Sequence, residues 1–296
     1  MASEATHDGA GAEALTDVRR PTGRARRYLI YRHSVVVRIT HWINVVCLTV
    51  LLMSGLQIFN AHPALYWGNF SDFPHPVFAL TVEQTPNGQS KGITTILGHR
   101  FDTTGVLGLS RDAAGHPWVR GFPSWATLPG QQSLAEGRLW HFFFAWLFVI
   151  NGFLYLVVSL LGGHLWRDLV PSGHDLRRIG RTVWDHVLFR FPKGEEARHY
   201  NVLQKLTYLI VVVVLLPVIV LAGLTMSPRM DAAFPQLLTV FDGRQSARTI
   251  HFIIAWALVA FVLIHVFMVL VSGVWNNLRS MLTGRYAIED RKNAAE

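Results

Sequence analysis

Two histidines, His251 and His265, lie fourteen residues apart within one apolar stretch, Thr249 to Gly273. Fourteen residues is close to four helical turns, so on a continuous helix both imidazoles face the same side, about 21 Å apart along the axis. That spacing offers one ligand to each of two stacked metal centres. His41 and His141 stand near the starts of two other apolar stretches and give each member of the pair a possible partner. An ionisable residue inside a spanning segment is costly, so each histidine needs a reason to be there. For any one of them alone, a neutral imidazole hydrogen-bonded to a neighbouring helix competes with ligation. The set of four points to metal only if their depths match, which depends on the elements that carry them.

Of the 296 residues, 51% are hydrophobic and 16% charged, and the apolar residues gather in four long runs. The runs are about 35–59, 139–162, 206–227 and 249–273. Each approaches or exceeds the ~20 residues needed to cross a bilayer core, which predicts an all-α integral membrane bundle of four helices. The first run is too long for a cleavable signal and follows a polar segment without a small-residue cleavage site. Seven arginines between Arg19 and Arg38, and eight basic residues between Arg167 and Lys205, mark two cytoplasmic segments. The 228–248 loop and the long 60–138 loop are poorer in basic residues, so they should face outward with both termini inside. The net charge of +8 then reflects this bias and contact with anionic lipid, and requires no nucleic acid.

With that topology His41 and His265 share the cytoplasmic depth, and His141 and His251 share the outer one. Cys47 is the sole cysteine, which excludes disulfides, covalent Cys-x-x-Cys-His haem attachment and a thiolate-bound cluster. Two imidazoles per site suit haem, whose porphyrin supplies the equatorial ligands, better than zinc, which wants three or four protein ligands. A bis-histidine iron has no open position, which favours electron transfer over oxygen binding. Haem carboxylates need partners near the membrane faces, with Arg38 and Lys205 as candidates inside and Arg138 and Arg248 outside, although each is equally a helix-end anchor. His33 is the main competitor of His41, but its basic surroundings place it at the membrane surface.

From Arg32 to Leu282 the chain resembles the bacterial di-haem cytochrome b membrane subunits of formate dehydrogenase, nickel–iron hydrogenase and thiosulfate reductase. The specific elements are Ile39-Thr40-His41-Trp42 on the first helix and the fourteen-residue histidine pair on the last. The resemblance implies two haem b groups, one held by His41 and His265 on the cytoplasmic side and one by His141 and His251 on the periplasmic side. It further implies a quinone reacting near the cytoplasmic haem. The residues from His199 to Lys205 resemble the family's quinone motif, with Asn201 and Gln204 as quinone-side residues, although Leu203 stands where some members have glycine. Asn201 and Gln204 are otherwise read as hydrogen-bonding residues at the start of the third helix.

The resemblance places the chain in the bacterial inner membrane as a multi-pass electron-transfer subunit rather than the substrate-converting one. Its partner would be a periplasmic molybdopterin or iron–sulfur oxidoreductase, docked on the aromatic outer loop. The chain carries no nucleotide, flavin, molybdopterin or hydrolytic motif of its own. A stand-alone superoxide:quinone oxidoreductase of the same fold is the alternative, and a membrane anchor with structural histidines is a further one. Residues 1–27 read as a disordered cytoplasmic tail, 28–284 as the di-haem domain and 285–296 as a second tail. A spacing of three or four between Leu176, Ile179, Val183 and Val187 predicts an amphipathic surface helix over 174–190.

Overall fold

The computed structural model describes residues 26–112, 114–163 and 202–290, together with Gly180 and Trp184. The expected 174–190 surface helix, Asn201 and residues 1–25 and 291–296 lie outside the described residues, apart from those two. Among the described residues, four helices are long and apolar enough to cross a membrane: α1 (Val35–Phe59), α2 (Leu134–Leu161), α3 (Val202–Thr225) and α6 (Arg244–Val271). Each covers one of the apolar runs, but three start before their run does. α2 begins at Leu134 rather than Leu139, α3 at Val202 rather than Leu206 and α6 at Arg244 rather than Thr249.

The extra turns of α2 and α6 carry charged residues at the helix starts, Glu136 and Arg138 in one and Arg244 and Arg248 in the other. Ser133 accepts a hydrogen bond from the Glu136 N–H, and the Glu136 carboxylate sits in the first turn, where the helix dipole favours it. Ser34 caps α1 in the same way through the Val37 N–H. α3 contains a wide turn over Ile210–Leu215, just before Pro217. Proline lacks an N–H and crowds the preceding turn, which accounts for the bulge. The largely exposed side chains of Leu139, Phe143, Trp146, Ile150 and Phe153 repeat at intervals of three and four along α2, as expected of a face turned to hydrocarbon.

Between α1 and α2 lies a folded β-rich cap rather than a simple connector. β2 (Ala64–Leu65), β3 (Phe78–Gln84), β4 (Ser90–Ile96) and β5 (His99–Asp102) form an antiparallel sheet in that order. β6 (Gly108–Arg111) and β7 (Pro117–Arg120) form a hairpin over it, turning at Asp112 to Gly115 as their polar residues predict. Gly108 and Gly92 pass close enough that a Cβ on either would strike backbone, so sheet and hairpin pack without side chains there. The cap is joined to the bundle by Leu56 and Phe59 of α1, which pack with Leu65, Leu80 and Phe122 into one buried cluster. Two short helices, α4 (Pro228–Ala233) and α5 (Gln236–Val240), link α3 to α6 at the same end.

At the opposite end the first and last described strands meet. β1 (Arg26–Tyr31) pairs antiparallel with β8 (Arg285–Asp290), across the expected domain limits at 28 and 284. Before β8, Gly273 adopts a positive φ that ends α6 and starts α7 (Val274–Thr283), a bend that suits glycine. This hairpin escapes sequence reading because its strands are separated by nearly the whole chain and each is short and rich in charge.

Candidate metal centres

The four histidines form two pairs, both involving α6. At the end bearing β1 and β8, His41 and His265 have ring centroids 6.3 Å apart with planes at 63°. At the cap end, His141 and His251 have centroids 6.2 Å apart with planes at 60°. Neither pair is stacked or close enough for a direct nitrogen-to-nitrogen hydrogen bond along the centroid line. Two nitrogen–metal bonds of ~2.0 Å, added to the distance from each nitrogen to its ring centre, would separate the centroids of an axial pair by about 6.3 Å. Both pairs match that spacing.

Three further observations fit a flat macrocycle bound between the rings. First, α1 packs along α2 and α3 along α6, while the backbone of α6 stands off from those of α1 and α2. Each histidine pair therefore joins the α1–α2 pair to the α3–α6 pair. Second, the cap-end imidazoles have their Nδ1 atoms engaged. His251 Nδ1 lies 2.8 Å from the Ile219 carbonyl, and His141 Nδ1 lies 3.1 Å from Ser54 Oγ. A carbonyl on Nδ1 requires the N–H there and leaves the Nε2 lone pair for a metal. Third, glycine stands beside each of these rings: a Cβ at Gly55 would lie 3.4 Å from the His141 ring, and one at Gly223 would lie 3.3 Å from the His251 ring. Among the described residues no group of three or more His, Cys, Asp or Glu side chains could hold a bare ion, so a centre here needs ligands that the protein does not supply.

The candidate carboxylate partners are placed differently from one another. Arg248 is partly buried one turn before His251, donates from Nη2 to the His62 carbonyl and lies over the Phe59 ring. Arg38 stands in the same relation to His41, with Nη1 donating to the Leu282 carbonyl and a buried Nε that has no partner. Arg138 is exposed and lies over Phe142, on the outer surface of α2. Lys205 and Gln204 lie on the first turns of α3, at the same end as the His41 pair, and Asn201 falls outside the described residues. His33 precedes α1 and binds through its backbone N–H to the Gly284 carbonyl, away from the helix that carries His41.

Several residues besides the histidines hold the site together. Asn151 of α2 donates to the Thr40 carbonyl at 2.9 Å and to Asn44 Oδ1 at 2.8 Å, bracketing His41 on α1. Trp42 meets His41 edge-on and donates from its indole to the Met281 carbonyl. Phe261, one turn before His265, stacks against that imidazole. At the cap end the 62–71 segment crosses the start of α6. The Gly68 carbonyl accepts from the Gln245 and Ser246 N–H groups, and the Tyr66 carbonyl accepts from the Thr249 hydroxyl at 2.6 Å. The fully buried Arg120 fastens the rest of the cap by bonds to the Gly130 carbonyl, Gln57 Oε1 and Thr127 Oγ1, and its burial pushes its pKa down. Of these, Trp42 had a sequence signal, as part of Ile39-Thr40-His41-Trp42.

The profile of the prokaryotic cytochrome b561 family matches residues 32–284. A curated relative from Azospira oryzae, named putative protein-methionine-sulfoxide reductase subunit YedZ1, is 30% identical over 237 residues, covering 80% of this chain and 89% of the relative. No solved structure matches the chain.

Proposed function

The chain belongs to the prokaryotic cytochrome b561 family, membrane proteins that bind b-type haem and transfer electrons, and from this we propose that it is a two-haem relay between membrane quinone and a periplasmic oxidoreductase. The observation that carries the two-haem reading is the equal spacing of the two histidine pairs, 6.3 and 6.2 Å between centroids. His41 with His265, and His141 with His251, would hold the two haem irons. Bound haem supplies a reversible one-electron iron couple, and two imidazoles leave its iron no open position.

The protein's own part is to hold, orient and insulate. The Ile219 carbonyl fixes the His251 tautomer, and Gly55 and Gly223 leave room for the cap-end rings. Arg38 and Arg248 bring positive charge one turn nearer the aqueous ends and would hold the haem carboxylates; Arg138 and Lys205 serve chiefly as headgroup-level anchors. By the distribution of basic residues, the termini lie in the cytoplasm and the cap in the periplasm of a bacterial inner membrane. Quinone reacts at the His41 end, where Gln204 lies in the first turn of α3 and, with Asn201, offers polar contacts to a quinone carbonyl.

The catalytic partner docks on the cap, whose Trp67, Phe70, Phe73 and Trp125 are exposed. The name of the Azospira relative supports a partner that reduces methionine sulfoxide in proteins, with a molybdopterin as the expected cofactor of that subunit. Sulfoxide reduction takes two electrons and two protons and releases water, so quinol oxidation at the inner end would supply electrons outward. A direct exchange with superoxide would need an open basic rim above His141 and His251. The strap from His62 to Ser71 over the start of α6 favours a docked partner instead.

The test is quinol-driven reduction of the purified protein. Replacing Asn201 and Gln204 together by alanine should slow haem reduction at least several-fold while leaving the optical spectrum unchanged. Unaltered kinetics would move the quinone to the other end of the bundle.

A further inference from the structure

We propose that His62 donates a hydrogen bond from Nε2 to a carboxylate of the haem held by His141 and His251, acting beside Arg248. This rests on the two-haem reading above. The inference starts from a buried atom: His62 Nε2 is shut off from solvent and has no hydrogen-bond partner among the described residues. A buried polar nitrogen left unsatisfied is costly, so it requires either a ligand or an ordered water.

The surroundings favour an anionic ligand. The His62 ring clusters with Tyr66, at 5.7 Å, and Phe73, at 5.9 Å, whose own centroids lie 6.0 Å apart. Its own carbonyl accepts from the Arg248 guanidinium, which ties the residue to the one cation of α6 that lies a turn from His251. Residues three apart on a helix share a face, so Arg248 lies on the His251 side and about 4.5 Å nearer the aqueous end. Haem carboxylates are charged and seek that end. Burial first, and the neighbouring Arg248 charge second, push the His62 pKa below its ordinary value. A neutral imidazole protonated on Nε2 has one N–H to donate there. Tyr66 is the other titratable group against it, and burial raises the Tyr66 pKa, so its hydroxyl also stays neutral.

A hydrogen bond to a haem carboxylate spreads its negative charge and weakens its preference for ferric iron. Removing the donor should thus lower the midpoint potential of the cap-end haem alone. The experiment is a redox titration of the full-length haem-loaded protein carrying His62→Phe, which preserves the ring cluster, or His62→Gln, which retains an N–H. The cap-end haem is identified as the one absent from His251→Ala. The expected result is a lower cap-end midpoint in His62→Phe, largely restored in His62→Gln, with the other haem unchanged as the folding control. Selective loss of the cap-end haem in His62→Phe but not in His62→Gln supports the same role. Unchanged potentials in His62→Phe, or equal loss of haem from both variants, would overturn it and leave a water or a packing role. Finding a single haem in the unsubstituted protein would instead refute the two-haem reading.

Discussion

The side-chain amide of Asn151 donates to Asn44 Oδ1 at 2.8 Å and to the Thr40 carbonyl at 2.9 Å, joining α2 to α1 in the turn that surrounds His41. In hydrocarbon a broken polar pair leaves both partners without water. Asn151→Leu should therefore destabilise the bundle by about 1–2 kcal/mol and broaden the optical signature of the His41 site. Removing both amides, in Asn44→Leu with Asn151→Leu, should cost less than the sum of the single changes. Thermal unfolding of the four proteins measures the coupling, and strict additivity would refute a direct interaction.

Ligand loss should follow the pairs. His251→Ala and His141→Ala should each remove one and the same haem, and His41→Ala and His265→Ala the other. Pyridine haemochrome analysis reads the stoichiometry and low-temperature spectra the identity. Retention of both haems in His41→Ala would transfer that role to His33, against the position of His33 outside α1.

Steric pressure on a ligand should act as specifically as its removal. A Cβ at Gly223 would already lie 3.3 Å from the His251 ring, whereas one at Gly152 would meet nothing within 4 Å. Gly223→Val should then reduce cap-end haem content several-fold and leave the other haem intact, while Gly152→Ala should change neither. Equal haem content in both variants would show that the His251 ring can shift without losing its metal.

A reporter fused after Glu296 should behave as cytoplasmic and one inserted at Gly115 as periplasmic. Alkaline phosphatase and green fluorescent protein fusions give opposite readouts for the two sides. The reverse pattern would exchange the compartments of the two haems without altering the pairing.

Acid should reach the cap at an unusually low pH in one turn. The Asp102 carboxylate accepts from the Thr104 hydroxyl and N–H and pairs with Lys91, which together lower its pKa from 3.8 to about 2. A depressed carboxylate pKa contributes stability that is present above the ordinary value and is lost as pH falls from there through about 2. Deuterium uptake across 99–107 should therefore rise only below the ordinary carboxylate range. Thr104→Val should move that rise to higher pH by more than Lys91→Met does, because the hydroxyl contributes first. An identical acid profile in all three proteins would exclude Asp102 as the group responsible.

How far the sequence alone reached follows from the range of its physical signals. The four spans were legible because each is a continuous run, and a bilayer punishes any polar interruption of it. His251 and His265 could be placed on one face because a helix converts residue number directly into angle and height. The starts of α2 and α6 were missed because their first turns carry charged residues. The tertiary structure alone decided what depends on residues distant in sequence. It brought His62 to Arg248, Asn151 to Asn44, and Arg26–Tyr31 to Arg285–Asp290. No local periodicity announces such meetings, since each is set by how separately stable helices pack and by the chain that straps their ends together. The histidine pairs lie between these cases: their depths came from composition, while the spacing of 6.2 and 6.3 Å between their rings came from the stand-off between the helix pairs.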